Sequence, residues 1–131
     1  VPNVDSFEAK LAREKWFHYT YPLHRVHFTP QAVDLLLKKS GFKIIHIDFF
    51  NPEYTIAGLV QTFLNIFLPN NVFYSVVAHR RFSMRREQAI LIALISMLLV
   101  FMFIPFLILF FFIELIFKKT GAMVIVAENE N

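Results

Sequence analysis

"AILIALISMLLVFMFIPFLILFFFI", Ala89–Ile113, runs without a charged residue, and how it is threaded decides the fold. Roughly 20 apolar residues suffice for a helix to cross a bilayer once. Three features predict a different path. Pro105 divides the stretch, leaving Ala89–Ile104, about 24 Å as a helix, and Phe106–Phe117, about 18 Å, each shorter than a hydrocarbon core of about 30 Å. Arg80, Arg81, Arg85 and Arg86 precede it and Lys118 and Lys119 follow it, so both ends favour the cytoplasmic face and its anionic phosphates. The flanking segments also read as strands of one sheet, which requires the chain to leave and return on the same face. The predicted solution is a helical hairpin that dips into one leaflet and turns near Pro105.

The rest of the composition agrees with membrane contact. In 131 residues the chain is 56% hydrophobic, with 17 phenylalanines and a net charge of +3, more apolar than an average soluble domain. It has no cysteine, which excludes disulfides and thiolate metal sites. The basic cluster abuts the apolar run, so lipid phosphates are the expected counter-charges and nucleic acid is not an expected partner. The sequence opens at Val1 with neither an initiator methionine nor a signal-peptide pattern, and is expected to belong to a longer polypeptide.

Outward from the apolar run, "AMVIVAE", Ala122–Glu128, is apolar on both faces and predicts an interior strand. "KIIHIDFF", Lys43–Phe50, predicts a strand near an edge. Ile45, Ile47 and Phe49 face one side, and Ile44, His46, Asp48 and Phe50 the other. Two strands make only a marginal sheet, and Val1–Pro2 reads as the end of a further one. "TPQAVDLLLKKSGF" is the clearest helix: Thr29 caps it, Pro30 takes the first position, Val33, Leu36 and Leu37 face inward, and Gly41 closes it. "DSFEAKLAREKW" predicts a short helix capped by Asp5 or Ser6, with Phe7 and Leu11 on a common face. Thr55–Leu68 predicts an apolar helix stopped by Pro69 and Asn70, and Val72–His79 a second. Glu114 lies four residues before Lys118, the spacing of an interfacial ion pair.

Trp16–Thr29 shows no period and carries three histidines. With "VPN" at a strand end, "W" and "PLHRVHFTP" in an aromatic loop, a capped helix ending "SGF", the strand "KIIHID" and the closing "GAMVIVAEN", the sequence resembles the C-terminal part of class I S-adenosylmethionine-dependent methyltransferases, in particular the ubiquinone-biosynthesis-like small-molecule subgroup. The resemblance implies an α/β fold. It would be the C-terminal fragment of a Rossmann-like sheet, two to three strands, in which the last strand inserts antiparallel between the fifth and sixth. The membrane-dipping helical hairpin is inserted before that last strand. Residues 1–50 would complete the catalytic domain, 51–119 form the hydrophobic insertion, and 120–131 the final strand.

The same resemblance implies S-adenosylmethionine as cofactor, bound mainly by an N-terminal half that this sequence lacks, since no G-x-G-x-x-G occurs in it. It implies a hydrophobic or lipid-linked acceptor at the cytoplasmic membrane face, in contact with membrane lipids. His24 and His27 become candidates for general base or substrate hydrogen bonding, because imidazole titrates near neutrality. Trp16, Tyr19, Tyr21 and Arg25 become candidate substrate contacts. No third ligand is spaced to make a metal site with the two histidines. His18 reads as a loop residue, His46 as strand surface and His79 as part of the basic interface. The competing expectation is a non-enzymatic small membrane protein, its helices an anchor and its front half a docking module.

Overall fold

The computed structural model describes residues 1–20, 24–77 and 85–130; Tyr21, His79, Arg80 and Arg81 lie outside the described residues. The architecture is mixed and mostly helical. In order come α1 (Phe7–Ala12), a 3₁₀ turn (Arg13–Lys15), α2 (Pro30–Lys39), β1 (Phe42–Asp48), a π-helical turn (Pro52–Ile56), α3 (Ala57–Phe67), α4 (Val72–Val77), α5 (Arg86–Ile116) and β2 (Val124–Asn129).

The expected sharing of one sheet holds. β1 and β2 pair antiparallel from Phe42 opposite Asn129 to Asp48 opposite Val124. The alternation predicted for β1 is broken by a bulge: Ile44 pairs with Ala127 and His46 with Val126, so Ile45 has no partner. One extra residue reverses the facing of all that follows. Ile44 and Ile47 are therefore the more buried residues and Ile45 is turned outward. On the other side of β2, Val1–Asn3 run antiparallel to the residues that lead into it. The Val1 ammonium donates to the Met123 carbonyl at 2.8 Å, the Met123 amide donates to Val1 at 2.9 Å, and Pro2 bridges Ala122.

α2 forms as its signals dictate. The Thr29 hydroxyl accepts from the Ala32 amide at 3.1 Å, Pro30 opens the helix, and Gly41 takes φ 78° just beyond its end. Its inward face is narrower than expected, because Val33 is buried while Leu36 is exposed. In α1 the phase is rotated from the one expected. Ser6 is the cap, but the buried residues are Glu8 and Ala9, and Leu11 faces out.

The largest correction concerns Pro105. It lies inside α5, which continues unbroken from Arg86 to Ile116. Proline forfeits one backbone hydrogen bond and crowds the preceding turn, yet its fixed φ is itself helical, and apolar membrane-type helices tolerate it. At 1.5 Å per residue α5 is about 46 Å long, and it is the one helix among the described residues long and apolar enough to cross a membrane. The excursion between the strands is still a hairpin, with different legs. α3 and α4 both pack on α5, Phe63 and Phe67 stacking on Phe103 at 5.2 and 6.1 Å. The chain thus runs outward along α3 and returns along α5.

Candidate functional site

Two groups of polar side chains are held at the sheet end of these helices. The first surrounds the loop histidines. His18, His24 and His27 form a chain of rings, with centroids 6.1 Å apart for the first pair and 6.4 Å for the second. His24 Nδ1 and Thr20 Oγ1 are 2.9 Å apart, and His27 Nε2 donates to the His18 carbonyl at 2.9 Å. That bond fixes the tautomer of His27 and uses the nitrogen that would otherwise meet a substrate. His18 and His24 line a cavity of about 400 Å³ with Thr20, Asn51, Tyr54 and Tyr74, floored by Val1, Pro2 and Ala122–Val124.

His18 is 3% exposed, and Nε2 has no hydrogen-bond partner. Burial, then the neighbouring His24, the chain's amino terminus and His27, hold its pKa down to about 4, so its ring is neutral at physiological pH. His24 is also shifted down, chiefly by burial and then by His27 and the amino terminus. A neutral imidazole at the cavity wall can accept a proton.

Trp16 separates this group from the second. It is 1% exposed, and its ring meets His18 at 5.2 Å, His27 at 5.6 Å and Tyr19 at 5.1 Å. Beyond it lie two buried carboxyl groups, Glu8 at 2% and Glu114 at 0% exposure. Glu114 Oε1 accepts from the Glu8 amide at 2.8 Å, so the base of α5 satisfies an orphan donor in the first turn of α1. The expected Glu114–Lys118 ion pair is not what Glu114 does. Lys118 leaves the helix with φ 54°, and Lys119 binds Asp5, which also holds Lys10. Neither oxygen of Glu8 has a hydrogen bond of full geometry. The Thr62 hydroxyl, Trp16 indole and Gly121 amide lie near enough to favour its charged form, but burial outweighs them and raises its pKa to about 7.

The expected site residues are therefore distributed unevenly. His24 lines the cavity, whereas His27 is committed to the loop backbone. Trp16 lies behind the cavity wall instead of forming it, because an indole this large is the natural core of so small an α/β unit. Tyr19 and Arg25 point outward on the other side of the loop. Arg85, Arg86 and Lys118 are exposed at opposite ends of α5. Sequence reasoning missed His18, Thr20, Asn51, Tyr54 and Tyr74 as cavity residues, and Glu8 altogether. The spacing Thr20 to His24 was a usable signal; a glutamate on an otherwise charged helix gives none. Among the described residues no group of three or more His, Asp or Glu could hold a metal ion. No family model, curated protein or solved structure matches this chain.

Proposed function

We propose that this chain is the substrate-side and membrane-anchoring part of an S-adenosylmethionine-dependent methyltransferase whose acceptor is hydrophobic or lipid-linked. The observation that carries the reading is the position of β2. It runs antiparallel to β1 on one edge, and residues leading into it are paired antiparallel with Val1–Asn3 on the other. This is the placement of the reversed last strand of a Rossmann-like methyltransferase sheet, with Val1–Asn3 ending one neighbour and β1 forming the next. The histidine cavity opens beside that strand end, where open α/β sheets place their ligands. Among the described residues its lining contains no carboxylate to take the ribose hydroxyls of the cofactor, so the donor would be held by residues outside this sequence. Within the chain, His24, oriented by Thr20, would take the proton from the acceptor.

The test uses the protein translated from its complete reading frame, assayed for transfer of labelled methyl groups from S-adenosylmethionine to a membrane lipid extract. Labelled lipid is expected, with His24→Ala lowering turnover about 100-fold while cofactor binding stays unchanged. A frame without a glycine-rich turn and a downstream acidic residue would sink the methyltransferase reading. Normal turnover in the variant would leave His24 as scaffold.

α5 would cross the bilayer fully, not dip into one leaflet. It is apolar on every face, unlike an interfacial helix. From Arg86 to Ile116 it is about 46 Å long, which matches a bilayer with its head groups. The sheet, at the end of α5 that Lys118 and Lys119 follow, would lie on the cytoplasmic face. Tags at Lys43 and Glu130 should then be accessible from one side of a sealed vesicle and a tag beside Arg85 from the other. Accessibility of all three from one side would restore the re-entrant hairpin.

A further inference from the structure

A second cavity, sharing no lining residue with the first, lies between α1, α3 and α5. It is a groove of about 390 Å³ walled by Leu59, Phe63, Phe103, Phe106 and Phe110, with Leu11, Ile66 and Leu109 at its exposed rim. Among the described residues only two polar ones reach it, Glu8 and Thr62. Both are almost wholly buried. The Thr62 oxygen accepts from the Phe17 amide at 3.1 Å and its hydroxyl lies toward Glu8, whose carboxyl oxygens have no hydrogen bond of full geometry. A buried carboxyl group without full hydrogen bonds is destabilising, and an arriving donor removes that cost.

We propose that this groove binds a single-chain amphiphile with an uncharged hydroxyl head, its tail along α5 and its hydroxyl donating to Glu8. The volume is at the lower end of small-ligand sites and suits one chain better than the two of a phospholipid. The head follows from charge. Glu8 has Glu114 one hydrogen bond behind it, and among the described residues no lysine, arginine or histidine lines the groove, so a carboxylate or phosphate head would be repelled. An ammonium head would form a buried ion pair whose desolvation offsets much of its attraction. A hydroxyl donates to Glu8 and brings no charge of its own. This site stands on its own observations and does not require methyl transfer.

The test labels the full protein, in phosphatidylcholine nanodiscs at pH 8, with a long-chain alcohol carrying a photoreactive diazirine near its head. Adducts are expected on peptides containing Glu8, Thr62 or Phe106–Phe110. Unlabelled alcohol should suppress them at least 10-fold more effectively than a fatty acid or an alkylamine of equal length. Ile66→Trp and Leu109→Trp, which narrow the rim at exposed positions, should each reduce labelling several-fold without changing the melting temperature. Glu8→Gln should erase the preference for alcohol over acid. Equal competition by the acid, better competition by the amine, or labelling that follows bulk lipid and ignores both rim variants would each overturn the proposal. His24→Ala should leave labelling unchanged, which separates failure here from failure of the methyltransferase reading.

Discussion

Gly121→Ala is expected to abolish most of the folded protein. A Cβ built at Gly121 falls 1.5 Å from Glu8 Oε1 and 2.5 Å from its Cδ, well inside contact distance, so the Glu8 side chain must move. It has nowhere to go. Glu8 is packed among Thr62, Trp16 and the backbone of Gly121, and its own amide is tied to Glu114. Nor can the glycine retreat, because its carbonyl accepts from the Asn3 amide at 2.9 Å, next to the pairing that seats Val1–Asn3 beside β2. Overpacking in a filled interior costs about 1–3 kcal/mol when the neighbours can adjust; with a buried carboxyl group pinned on both sides, about 4 kcal/mol is expected. Denaturant unfolding in detergent micelles measures it. Gly58→Ala is the internal comparison. Its Cβ meets His18 Nε2 at 2.9 Å, a contact that a small ring rotation relieves, so its cost should be at most about half as large. Adding Glu8→Ala to Gly121→Ala should recover part of the loss, because the two effects share one contact. A Gly121→Ala protein as stable as wild type would mean that Glu8 does not lie against Gly121.

Much of the scaffold was legible because local signals there agree with tertiary packing. Thr29, Pro30 and Gly41 specify the ends of α2 by backbone chemistry alone, and the structure places each in that role. The joint membership of Lys43–Phe50 and Ala122–Glu128 in one sheet followed from their composition. What was not legible depends on phase and on partners distant in sequence. A bulge at Ile45 inverts the facing of the rest of β1, and no residue type announces it. Proline at position 105 weakens a helix locally but does not end one whose neighbours on both sides are strong helix formers in apolar surroundings. Glu8 reads from sequence as a solvated helix residue. Its burial arises only because Glu114, 106 positions later, caps the turn that contains it. His24, which lines the cavity, stood out in the sequence, whereas His18 did not, since its neighbour across the contact is Gly58 on α3.

Variants of Glu8 and His18 whose stability, taken relative to wild type, slopes in opposite directions with pH are the second large expected result. The folded state raises the pKa of Glu8 from 4.5 to about 7 by burial. It therefore holds a proton that the unfolded chain releases, and its stabilisation is complete below pH 4.5 and gone above pH 7. His18 has the opposite sense. Its pKa falls from 6.5 to about 4, so its stabilisation is complete above pH 6.5 and is lost as the pH falls through 4. Each contributes roughly 3 kcal/mol across its window, and where the windows overlap the slopes cancel. Glu8→Gln removes one member. Relative to wild type, its stability should rise by roughly 3 kcal/mol between pH 4.5 and 7. His18→Gln should show the reverse, losing roughly the same amount relative to wild type between pH 4 and 6.5. Taking differences from wild type removes the contributions of Asp5, whose carboxyl is held low by Lys10 and Lys119, and of His24. Parallel profiles for wild type and Glu8→Gln would show that Glu8 titrates as it does in water, and that the acid group beneath Trp16 is open to solvent. The two groups share Trp16 as a wall, so the double variant adds a further check. If each ring and carboxyl group acts only through its own burial, the double variant should run parallel to wild type between pH 4.5 and 6.5, and any residual slope between the two measures direct coupling across the indole.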